Sequence, residues 1–100
     1  MDANTAPLMQ QVYTQLKAVD LVLSGEEFSE QFLNRSRSTY SLRKYQNKDF
    51  TILTAIQCVR ALRRCHFRPQ LTTQQQQVLA DVEAQLMQYL RTQHHIAEVC

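Results

Sequence analysis

The chain has 100 residues, 44% of them hydrophobic and 20% charged, with a net charge of +2, one Gly and two Pro. That suffices for one compact domain over residues 1–100 with its own core, and not for two, while apolar runs as short as Leu21-Val22-Leu23 exclude a transmembrane helix. Met1-Asp2-Ala3-Asn4 shows no basic n-region ahead of an apolar stretch, and three cysteines make an odd count, so a reducing, cytoplasmic location is expected.

The scarcity of turn formers and the abundance of Gln, Leu, Ala, Arg and Glu predict an all-α fold. The expected architecture is a compact five-helix domain with a helix-turn-helix at helices 2 and 3 and a long C-terminal helix. Helix one is expected from about Pro7, which suits a first helical position, to Leu21. Leu8, Val12, Leu16 and Val19 form its apolar stripe, with Met9 and Tyr13 beside them.

Helix two has the sharpest start. Ser24 is expected to cap it, with Glu27 reaching back to the Ser24 backbone N–H, and Leu23 and Phe28 to form a hydrophobic staple. Phe28 and Phe32 share a face, and Asn34 suits a left-handed helix end. Helix three should follow almost at once, from Arg35 or Ser36 to Tyr45. Its apolar content is thin (Tyr40, Leu42 and Tyr45), so it presents a polar, cationic face.

After a loop at Gln46-Asn47-Lys48, Asp49 or Thr51 should cap helix four, which runs to about Cys65. Ile52, Ala55, Ile56, Val59 and Leu62 form its core stripe, and Arg60, Arg63 and Arg64 decorate the other side. Phe67 is expected to fold back onto the core. Thr72 with Gln75 resembles another capping box, opening helix five over about 72–96. Its stripe of Leu79, Val82, Leu86, Tyr89 and Ile96 reads in two ways: packing against helices one and four, or the seam of a homodimer.

Charge is distributed unevenly. Between Arg35 and Arg68 lie nine basic residues and one acid, Asp49, for +8; two basic residues and eight acids elsewhere give −6. A basic middle between acidic flanks suits a polyanion. Arg35, Ser36, Arg37, Ser38, Thr39 and Ser41 lie where a recognition helix begins. Arginine can donate two hydrogen bonds to guanine, and Ser or Thr can contact bases or phosphates. Arg43, Lys44 and Lys48 come later and are expected to meet phosphate.

No cofactor or metal is expected, since the spacing of Cys58, Cys65 and His66 fits no usual zinc pattern. Cys58 and Cys65 lie about 10 Å apart along a helix, too far for a disulfide. His94, His95 and Cys100 read as a frayed end. No catalytic constellation can be assembled, so the chain is not expected to be an enzyme.

The stretch from Ser24 to Ser41 resembles the helix-turn-helix of Cro/C1-type repressors. It is closer still to a family of small uncharacterised bacterial proteins sharing Glu-Phe-Ser, Leu-Gly-Arg-Ser and Ser-x-Tyr-Ser patterns. The resemblance covers about residues 12–62, within a helix-turn-helix core of about 12–66. It implies that Ser29 takes the small position of the supporting helix, that Asn34 stands for the turn glycine, and that Arg37 to Ser41 read DNA. It departs in Asn34, in a supporting helix one residue longer, and in Leu42-Arg43. The expected function is a small DNA-binding transcriptional regulator, as a dimer on double-stranded DNA. The competing expectation is an adaptor or inhibitor, of phage or mobile-element type, that sets the basic face against an acidic protein surface.

Overall fold

A computed structural model describes residues 6–93. They form α1 (Leu8–Ala18), α2 (Gly25–Gln31), α3 (Thr39–Tyr45), α4 (Ile52–His66) and α5 (Thr73–Gln93), with no strand among the described residues. The fold is all-α. Helix α5 packs against α4 and α1, and α2 packs against α3. No helix among the described residues is long and apolar enough to cross a membrane.

Helix α1 buries Met9, Val12 and Leu16 and starts one residue later than expected, because Pro7 is its N-cap and carries no capping side chain. The cap comes from far along the chain. The Asp49 carboxylate accepts from the backbone N–H groups of Leu8 (2.8 Å) and Met9 (2.9 Å), and also from that of Phe50 (2.8 Å). An anion here satisfies orphan donors and the helix dipole together. Asp49 therefore does not cap α4. Thr51 does, in a reciprocal capping box with Thr54. The end of α1 is a Schellman turn: Leu21 N–H donates to Leu16 C=O (3.0 Å) and Asp20 N–H to Lys17 C=O (3.1 Å), with Asp20 at φ 61°.

Ser24 caps α2 as expected, its hydroxyl accepting from Glu27 N–H (3.1 Å). The Glu27 carboxylate, however, accepts from Leu23 N–H (2.7 Å), one residue before Ser24. Leu23 is 69% exposed, and Leu21 and Val22 enter the core instead of a Leu23 staple.

Helix α4 buries Ala55, Cys58, Val59, Leu62 and Cys65. Phe67 does not return to the core; it is 87% exposed. It lies three and four residues beyond Arg64 and Arg63, so helical register continues their solvent face. Cys58 and Cys65 are free, buried thiols. Burial pushes both up from the ordinary thiol value, which keeps the thiolate form scarce.

The second capping box forms as expected between Thr72 and Gln75, with both hydrogen bonds at 3.0 Å. Gln75 also donates its amide to Val19 C=O (2.9 Å), tying the start of α5 to the end of α1. Farther along, Gln15 and Gln85 exchange two amide hydrogen bonds (3.0 and 3.1 Å). On the same helix Leu79, Val82 and Leu86 are fully buried inside the single chain. Of the two readings of this stripe, packing on α1 and α4 therefore holds for these three residues, and they are not available as a dimer seam. Tyr89 is partly buried and donates its hydroxyl to Phe50 C=O (2.8 Å). Ile96, His94, His95 and Cys100 lie outside the described residues.

Candidate nucleic-acid interface

The α2–α3 pair turns on one small residue. Ser29 is fully buried. Its hydroxyl donates to Gly25 C=O (2.9 Å) and accepts from the buried Tyr40 N–H (2.8 Å). A buried backbone N–H must find a partner, and Ser29 supplies it across the two helices. Gly25, the only glycine in the chain, makes room: a Cβ there would come within 2.9 Å of the Tyr40 ring.

The Tyr40 ring joins a cluster that sets the angle between elements. Its centroid lies 4.5 Å from Tyr13 of α1 and 5.4 Å from Phe28 of α2. Phe28 also meets Tyr13 at 5.6 Å, edge-on, and Phe32 at 5.8 Å. These separations suit attractive ring contacts.

Helix α2 ends in a widened turn. Phe28 C=O accepts from both Phe32 N–H (2.9 Å) and Leu33 N–H (3.2 Å), the latter a wide, π-type turn. Arg35 N–H then donates to Ser29 C=O (3.0 Å), and Asn34 sits at φ 56°. Asn34 thus occupies the left-handed geometry assigned to the turn residue.

Helix α3 begins at Thr39, not at Arg35 or Ser36. A helix capped by Ser36 would direct Tyr40 N–H to Ser36 C=O, but Ser29 takes that donor. Thr39 N–H instead bonds Ser36 C=O (3.0 Å), closing a turn over residues 36–39, and the Ser36 and Thr39 hydroxyls share a hydrogen bond (3.1 Å). Ser36, Arg37 and Ser38 consequently lie in the turn and not on the helix.

The cationic residues divide into two groups. The Arg37 guanidinium donates to Glu26 (2.6 Å) and lies 4.0 Å from Glu30, both on α2. Arg43 is half-buried and donates through both Nε (3.1 Å) and Nη2 to Asp49 C=O. These two are paired within the protein's own fold, Arg37 with α2 and Arg43 with the Asp49 carbonyl. Arg35, Lys44 and Lys48 are exposed with no carboxylate partner among the described residues, and Ser38, Ser41 and Leu42 are exposed beside them. Helix α3 buries only Tyr40; Tyr45 is 89% exposed.

Asp49 has a larger role than its position before α4 suggests. Its carboxylate holds α1 while its carbonyl holds Arg43 of α3, so one residue joins both elements. The available signal was its being the sole acid within a basic run. Tyr89 lies in the same corner. Burial first, and then Asp49, push its phenol above the ordinary value, against the opposing pull of Arg43.

Burial, and after it Tyr13, push the Tyr40 phenol up to about 12. Stability from this group is full below the unfolded value near 10 and is lost as pH rises toward 12, because only the unfolded chain ionises there. Tyr40→Phe is expected to flatten the stability loss between about pH 10 and 12. Urea midpoints across that window check this, and an unaltered alkaline fall in the variant would contradict it.

One family matches the chain, over residues 9–100; it is described as Family of unknown function (DUF6626). No curated protein and no solved structure matches.

Proposed function

The chain belongs to this family of unknown function, and we propose that it binds double-stranded DNA through α2, the turn and α3, as a small transcriptional regulator of the cytoplasm. The observation that supports this reading is a helix pair fixed by the Ser29 hydrogen bonds, with Arg35, Ser41, Lys44 and Lys48 exposed around its second helix. Arg35 and Ser41 flank the start of α3, where a recognition helix reads base edges. Lys44 and Lys48 follow at its end, where they would meet phosphate. Exposed Leu42 offers an apolar contact of the kind made with a thymine methyl. A homodimer on DNA would use surfaces other than Leu79, Val82 and Leu86.

A second reading has its own support. Leu42 and Tyr45 are exposed apolar groups on a short helix, with the exposed cations Arg35, Lys44 and Lys48 around them. That combination also suits an acidic protein partner with an apolar centre. Fluorescence anisotropy with a labelled duplex at low and physiological salt separates the two. The DNA reading expects a dissociation constant of about 10⁻⁴–10⁻⁶ M or tighter on arbitrary sequence. Lys44→Ala should weaken every sequence alike. Absence of binding at low salt would leave the protein-partner reading.

A further inference from the structure

Helix α4 carries a second basic surface. Arg60 and Arg64 are four residues apart and share a face, and Arg68 follows just beyond the helix end, where its N–H bonds Cys65 C=O (3.0 Å). All three are exposed, and none has a carboxylate partner among the described residues. Their neighbour Arg63 differs: its Nε donates to Glu83 of α5 at 2.9 Å. The acids near the basic segment thus pair with Arg63 and Arg37 and leave the ridge bare.

The ridge adjoins the helix pair. Arg64 and Arg68, with Ala61 and Cys65, share a small depression of about 60 Å³ with Gln31 and Phe32 at the end of α2. Arg35 follows Phe32 by three residues. The end of α2 therefore separates the ridge from the turn by very little chain.

We infer that Arg60, Arg64 and Arg68 form a second contact with the phosphate backbone of duplex DNA, beside the α2–α3 interface. This rests on the DNA reading above. Arg60 and Arg64 are spaced about 6 Å along the α4 axis, and Arg68 continues the row past the helix end to a span of about 10–12 Å. Over that length one DNA strand presents three to four phosphates, at about 3.4 Å of axis each. Guanidinium forks match phosphate oxygens in geometry as well as charge. Two basic surfaces flanking the turn would grip the backbone on either side of the bases being read.

The test measures affinity for a labelled duplex of about two helical turns across a salt series. It compares the wild-type chain, R60A/R64A/R68A, R60K/R64K/R68K and K44A/K48A. Removing three phosphate contacts should lower the slope of log K against log salt by about 2.7 and weaken binding by about ten- to a hundredfold. The lysine triple variant should keep the slope, because charge is retained. A role confined to complementing the α4 dipole would lower the melting temperature and leave the slope alone. If the alanine triple variant does not fold, Arg68→Ala, outside the helix, should lose about 0.9 of slope by itself. A wild-type slope in the alanine variants, with a reduced slope in K44A/K48A, overturns the ridge and leaves the DNA reading standing. Failure of the wild-type chain to bind overturns both.

Discussion

Phe28→Ala is expected to cost about 3–5 kcal/mol, the range for truncating a buried aromatic. The ring is fully buried and touches Tyr13, Phe32 and Tyr40, so it joins α1, α2 and α3 at one point. Against a typical total stability of about 5–15 kcal/mol, this removes a large share of the margin that keeps the protein folded. Thermal unfolding by circular dichroism should show a fall of roughly 12 °C or more, at about 4–8 °C per kcal/mol. Phe28→Leu, which fills most of the space, should lose much less. Equal losses in the two variants would mean that cavity and ring contacts do not set the stability of this junction.

Asp49→Ala is expected to cost about 3 kcal/mol. Capping substitutions cost about 1 kcal/mol, and each buried donor left without a partner about 1–3 kcal/mol. Here the N–H groups of Leu8, Met9 and Phe50 lose an acceptor together. Asp49→Asn keeps one acceptor oxygen and should fall between Ala and wild type. Hydrogen exchange gives the finer readout: the amides of Leu8 and Met9 should lose protection in Asp49→Ala before those of α5 do. Undiminished protection at Leu8 and Met9 would show that α1 is capped by other means.

How far the sequence could be read depends on the range of the interaction involved. Helix existence, the caps at Ser24 and Thr51 and the capping box at Thr72 are local, since cap and partner lie three residues apart. Apolar spacing likewise placed Val12, Leu16, Phe28, Leu62 and Leu86 in the core. The start of α3 was not local. Ser29 takes Tyr40 N–H across eleven residues, which moves Ser36, Arg37 and Ser38 out of the helix. The Asp49 cap on α1 spans 41 residues, and no pattern within one helix announces it.

The candidate site was legible in residue type but less so in availability. Charge segregation pointed to the stretch from Arg35 to Lys48. Which cations stand free depends on acids brought close by folding, Glu26 and Glu30 for Arg37, and on the Asp49 carbonyl for Arg43. The proposed interface therefore narrows to Arg35, Ser38, Ser41, Lys44 and Lys48. The arginine ridge on α4 extends the same polarity beside the end of α2.

In the proposed function, one surface of this chain, built from α2, the turn and α3, docks on duplex DNA. The most direct measurement is an amide ¹⁵N–¹H NMR titration of the full chain with duplex DNA. Binding there should shift the amides of Arg35, Ser38, Ser41, Lys44 and Lys48, together with those of Arg60, Arg64 and Arg68, while amides of α5 stay in place. Shifts centred on α1 and α5, or none with duplex in excess at low salt, would contradict it.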